Sequence, residues 1–68
     1  MEPFIRPTLG DIVIWRRGPA QFHVSRFPDR PQFTCPDLAE AVDIARRVAT
    51  SVQSGVLFTR DGVRFERV

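Results

Sequence analysis

The stretch from Asp37 to Gly55 most restricts the folds open to this chain. Asp37-Leu38-Ala39-Glu40 has the form of a capping box, an acceptor side chain at the N-cap with a glutamate three residues on. Thr34 is an alternative cap, with Asp37 in the reciprocal role. Leu38, Ala41, Val42, Ala45, Val48, Ala49 and Val52 recur at the helical period, while Glu40, Asp43, Arg46, Arg47, Thr50 and Gln53 take the other side. The helix is expected to run to about Gln53 and to stop at Ser54-Gly55. Its apolar stripe is rich in alanine, so it can lie close on a sheet. A chain of 68 residues is one domain with room for one such helix over one further layer.

The strands must come from either side of it. Ile12-Val13-Ile14-Trp15 is β-branched and aromatic, and Arg17-Gly18-Pro19-Ala20 ends it with turn chemistry. Phe22, Val24 and Phe27 follow. A Gly18-Pro19 loop pairs Arg17 with Ala20, Trp15 with Phe22 and Val13 with Val24. These apolar residues then share the helix face, and Ile12, Ile14, Arg16, Gln21, His23 and Ser25 lie opposite. Proline is awkward at the second loop position, so a longer loop of the same parity is the alternative. Phe27 to Pro36 reads as loop, with Pro28, Pro31 and Pro36 denying backbone donors. After the helix, Asp61-Gly62 stands between alternating runs, the signature of a tight hairpin. That register pairs Arg60 with Val63 and Phe58 with Phe65. Val56, Phe58, Val63 and Phe65 then face the core, and Leu57, Thr59, Arg64 and Glu66 face away.

The expected fold is therefore α+β: residues 1–10 an extended arm, residues 11–68 a ββαββ domain. Its four-stranded antiparallel sheet carries the helix on one face. Ile12 to Trp15 is apolar on both faces, which places the first strand centrally in a 2-1-3-4 order. The alternative puts the last strand inside. Phe4, Ile5 and Leu9 are the residues available to pin the arm. With Phe22-His23-Val24, Asp37, Glu40-Ala41-Val42, Ala45-Arg46 and Asp61-Gly62 so placed, the chain resembles a family of very short bacterial proteins of unknown function. The likeness runs from about Asp11 to Arg67. The family more often has tryptophan where Phe22 stands and serine at the cap. The resemblance implies the same hairpin–helix–hairpin plan and supplies no active site.

Composition excludes more functions than it suggests. All ten basic residues are arginine, against eight acidic ones, and lysine, asparagine and tyrosine are absent. That pattern fits a GC-rich genome, and it lifts the pI to about 10.0 while the net charge is only +2. A single cysteine, Cys35, cannot form an internal disulfide and suits a reducing cytoplasm. The start of the chain lacks the charged-then-apolar pattern of a signal peptide, and no apolar run approaches a membrane span. No cofactor is expected. One cysteine and one histidine do not make a zinc set, and the glycines stand singly, so no phosphate loop is present. A Cys35–His23 nucleophile pair is opposed by their expected positions on different sides of the sheet, and the chain is read as not an enzyme.

That leaves the sheet face away from the helix. On the register above it carries Ile12, Ile14 and Leu57, a patch suited to a second copy or another protein. The competing reading is weak nucleic-acid binding through Arg16 and Arg64, with Arg60 and Arg67 at the margin. Sheet-based RNA binders stack bases on exposed aromatics, and this register leaves none there. Protein contact is the preferred expectation, with Trp15 assigned to the core.

Overall fold

The computed structural model describes residues 5–68. Its elements are β1 (Ile12–Gly18), β2 (Gln21–Arg26), β3 (Phe33–Cys35), α1 (Leu38–Val52), β4 (Val56–Thr59) and β5 (Phe65–Arg67). The strands form one sheet ordered β3-β2-β1-β4-β5, and α1 packs across one face. The class is α+β and the first strand is central, as expected. The sheet, however, has five strands and is mixed, because β1 and β4 run parallel.

One missed strand accounts for both corrections. Phe33-Thr34-Cys35 is bracketed by Pro31 and Pro36, whose rings stand just outside the paired residues and so withhold no ladder donor. β3 pairs antiparallel with β2, matching Phe22 with Cys35 and Val24 with Phe33. This extra reversal turns the chain before the helix. The helix and the strand after it therefore run opposite to the directions expected without it, and β4 enters parallel to β1. The order of the four expected strands survives, with β5 at an edge.

The β1–β2 register is shifted by one residue. Ile14 lies opposite Val24, Trp15 opposite His23 and Gly18 opposite Gln21, with an irregularity between Arg16 and Gly18. The loop is thus Pro19-Ala20. A tight hairpin loop favours positive φ, which proline cannot take; moved to the first loop position its fixed φ near −65° is admissible. β2 keeps its expected core face, but β1 turns over. Ile12 and Ile14 are fully buried beneath the helix, and Val13 and Trp15 take the other face.

The β4–β5 hairpin shifts as well. Phe58 pairs with Glu66 and Thr59 with Phe65. The Asp61 carboxylate accepts from the backbone N–H groups of Val63 and Arg64, and the Thr59 hydroxyl accepts from that of Gly62. These bonds build a wider loop, residues 60–64, in place of the two-residue turn, and Gly62 takes φ +79° within it. Val56 and Phe58 still pack on the core, but Val63 is 74% exposed and Phe65 leaves the helix face.

The helix follows the sequence closely. Asp37 is the N-cap, its carboxylate accepting from Glu40 N–H at 2.8 Å. Ala41, Ala45 and Ala49 are buried against Ile12, Ile14, Phe22, Val24 and Cys35, with Val42, Ile44, Val48 and Val52 around them. Ile44 widens the stripe by a residue the period left out, and Leu38 is largely exposed. Asp43 and Arg47 form the one ion pair among the described residues, at 3.1 Å on the solvent side. The chain leaves the helix at Gln53, φ 55°, with Ser54 N–H bonded to the Ala49 carbonyl. The left-handed position thus falls on Gln53 rather than on Gly55.

Two substitutions check this packing. Ile14→Ala is expected to cost about 2–5 kcal/mol in urea unfolding, the range for a buried aliphatic cavity. A residue on an open face would cost far less. Gln53→Gly is expected to stabilise by about 0.5–1 kcal/mol, because glycine takes the left-handed conformation without a Cβ clash.

Candidate functional site

The face away from the helix is not simply wet. Val13, Ser25, Leu57 and Thr59 lie on it in register and are all buried. Their cover begins with Trp15. Its Nε1–H donates to the Ser25 hydroxyl at 2.7 Å, so the indole leans back over the Val13–Ser25 pair. Phe65 meets the indole edge-on, centroids 5.8 Å apart and planes at 86°, and the two rings close over Thr59 on the strand between them. Gly62 completes the contact, since a Cβ there would lie 3.5 Å from the indole. The chain before β1 also turns back: Asp11 N–H bonds the Thr8 carbonyl, and the Asp11 carboxylate accepts from the backbone N–H and hydroxyl of Thr8. Ile5 and Pro7 are half-buried on that returning segment, whereas Leu9 projects from the turn at 85% exposure. Leu9 therefore does not pin the arm, and Phe4 lies outside the described residues.

What stays open is a groove of about 310 Å³ lined by Trp15, Arg17, His23, Ser25, Asp29 and Pro31. β1 supplies Trp15 and Arg17, β2 supplies His23 and Ser25, and the loop before β3 supplies Asp29 and Pro31. Trp15, His23 and Pro31 give it ring surfaces. Arg17 and Asp29 carry opposite charges at the rim, and neither has an ion-pair partner among the described residues.

The residues singled out from the sequence are distributed differently from expectation. Ile12 and Ile14 lie under the helix, and Leu57 is on the open side but buried, so the expected apolar patch does not exist as an exposed surface. Trp15, expected in the core, stands at the groove with His23 beside it and Phe65 behind it. The premise that this face lacks aromatics is overturned by the same one-residue shift. Among the arginines, Arg16 pairs with Phe22 and falls on the helix side, and Arg67 pairs with Leu57 on the opposite side. Arg60 and Arg64 line a separate cavity of about 260 Å³ with Phe58, Asp61 and Glu66. The four do not converge. Arg17, Asp29 and Pro31 were missed because their proximity depends on the register and on a loop without periodicity.

The chemistry of the site is limited. Cys35 is buried on the helix side, where burial, together with the carboxylates of Glu40 and Asp37, holds its thiol above the usual value. His23 faces the groove, so the sheet separates the two. Among the described residues no three His, Cys, Asp or Glu side chains group as a metal set, and no helix is long and apolar enough to cross a membrane. No family model, curated protein or solved structure matches the chain.

The Trp15–Ser25 bond sets the shape of the groove wall. Ser25→Ala is expected to cost about 1 kcal/mol in denaturant unfolding and to shift the emission of the chain's single tryptophan. An unchanged spectrum would show that the bond does not hold the indole.

Proposed function

We propose that this chain is a non-enzymatic protein-interaction module that works through the groove beside Trp15. The observation that carries the reading is the balance of that groove: ring surfaces with one guanidinium and one carboxylate at the rim. An apolar side chain of a partner protein buries between the rings while the exposed Arg17 and Asp29 keep their solvent at the rim. Trp15 is already restrained by Ser25 and Phe65, so little side-chain entropy is lost on binding. A lone buried thiol is compatible with a reducing cytoplasm. Kinship with the small bacterial hairpin–helix–hairpin family belongs to this proposal too: a strand pair stands on either side of α1, although β3 is an addition to the family's plan.

Nucleic-acid binding is the second reading, and one observation favours it. Trp15 and His23 stand side by side on a sheet face, where a base can stack. Against it, a phosphate backbone needs a continuous basic track. Arg60 and Arg64 share one cavity, but Arg16 lies on the helix side and Arg67 on the opposite side, none of the four lines the groove, and Asp29 stands at its rim.

Selection of displayed random peptides on the chain separates the two. Peptides bearing a large apolar residue are expected to shift Trp15 emission, with an affinity that changes little between low and moderate salt. Arg17→Glu with Asp29→Arg is expected to alter which flanking charges are selected. The reading is overturned if no peptide binds while single-stranded oligonucleotides do, with affinity falling steeply in salt.

A further inference from the structure

We infer that the groove beside Trp15 takes a short proline-rich segment of a partner protein in the extended polyproline conformation, with an acidic residue at one end and a basic residue at the other. This rests on the protein-interaction reading above and names the chemistry of its partner. The argument starts from the hydrogen bonds the groove cannot make. The Trp15 Nε1–H is taken by Ser25, and the Ser25 oxygen is occupied in accepting it. The indole ring and the Pro31 ring offer a ligand no acceptor. A backbone N–H pressed against them would lose its water and gain nothing. Proline has no N–H, so prolyl residues meet these walls without that cost. A helix also hides its N–H groups, but with a diameter of about 10–12 Å it does not enter a groove of about 310 Å³.

The charged residues fix the ends of the segment. Arg17 lies at the hairpin end of β2, between the Arg16–Phe22 and Gly18–Gln21 pairs. Asp29 lies at the other end, its backbone N–H bonded to the Arg26 carbonyl. Trp15 and His23 face each other across the strands between them. From Phe22 to Arg26 the strand advances about 13 Å, which about four residues of polyproline helix span. The acidic end of such a segment meets Arg17 and the basic end meets Asp29. Both surfaces are stiff before they meet. Ser25 and Phe65 hold the indole, and a polyproline helix is preformed, so little freedom is lost on docking.

Titration of the full chain with capped synthetic peptides tests the inference, read by the emission of its single tryptophan and by backbone amide shifts. Glu-Pro-Pro-Pro-Pro-Arg is expected to bind with a dissociation constant on the order of 100 µM, weak because the contact is far smaller than a standard interface. It should move the amides of His23 and Asp29. The same peptide with alanine in place of every proline should bind about tenfold more weakly, having both its N–H groups and its flexibility to lose. Asp29→Arg changes an exposed residue, so the helical circular dichroism should be unaltered. It should weaken Glu-Pro-Pro-Pro-Pro-Arg about three- to tenfold and tighten Glu-Pro-Pro-Pro-Pro-Glu by a similar factor. The inference is overturned if the proline peptide does not bind, if the alanine peptide binds equally, or if Asp29→Arg leaves both affinities unchanged. Proline-free peptides that still bind the groove in the random selection would leave the protein-interaction reading standing, so the two failures are told apart.

Discussion

The fixed φ of Pro19 decides which side of the central strand meets the helix. A β1–β2 loop placed one residue earlier would set Val13 and Trp15 under α1 and expose Ile12 and Ile14. With Pro19 as the first loop residue, and the strand adjusting between Arg16 and Gly18, the side chains of β1 exchange faces while those of β2 stay. The alanine stripe of α1 then rests on the two isoleucines, and their small partners allow the close approach that fills the space. Trp15 is too large for a layer contacted by alanines, and it goes to the face where nothing of fixed size opposes it. Turn chemistry and side-chain volume therefore select the same register.

A second constraint acts through direction. β3 has only three residues and one neighbour, and contributes little burial beyond Cys35. Its effect is topological. By reversing the chain once before α1, it makes the connection from β3 to β4 a crossover between parallel strands, for which a helix is the usual bridge. Thr34 pairs beside His23, so β3 also continues the groove face to the sheet edge. The proline-rich loop that carries Asp29 and Pro31 is anchored at both ends, by the Asp29-to-Arg26 and Gln32-to-Val24 backbone bonds. Its position over the sheet therefore depends on β3 forming.

Elements whose signal is local were legible in the sequence. The Asp37 cap, the helical stripe and the central place of β1 each depend on residues within a few positions of one another. Those that failed depend on parity. Both hairpins were displaced by one residue, each for a reason held in a turn: proline geometry at Pro19, and side-chain acceptors at Thr59 and Asp61 that favour a longer loop over the Asp-Gly turn. Because side chains alternate, one residue of error is enough to move Trp15 and Phe65 across the sheet. The candidate site was illegible for this reason. Its members are separated in sequence and meet only when the register and the β2–β3 loop are both correct.

The second face is best understood as a problem of size. A chain this short with one helix can cover only one side of its sheet, yet β1 is apolar on both and Val13 must be buried. The remaining cover is assembled from single groups: the indole of Trp15 tied to Ser25, the ring of Phe65 and the Gly62 turn. Such a layer is discontinuous, and the groove is the gap between the indole and the Asp29–Pro31 loop. Trp15 is thus at once the lid over Val13 and a wall of the groove, so removing it would alter stability and recognition together. Arg17 and Asp29 stand on the same groove without burying the sheet, and a recognition role is separable from a structural one at those two positions.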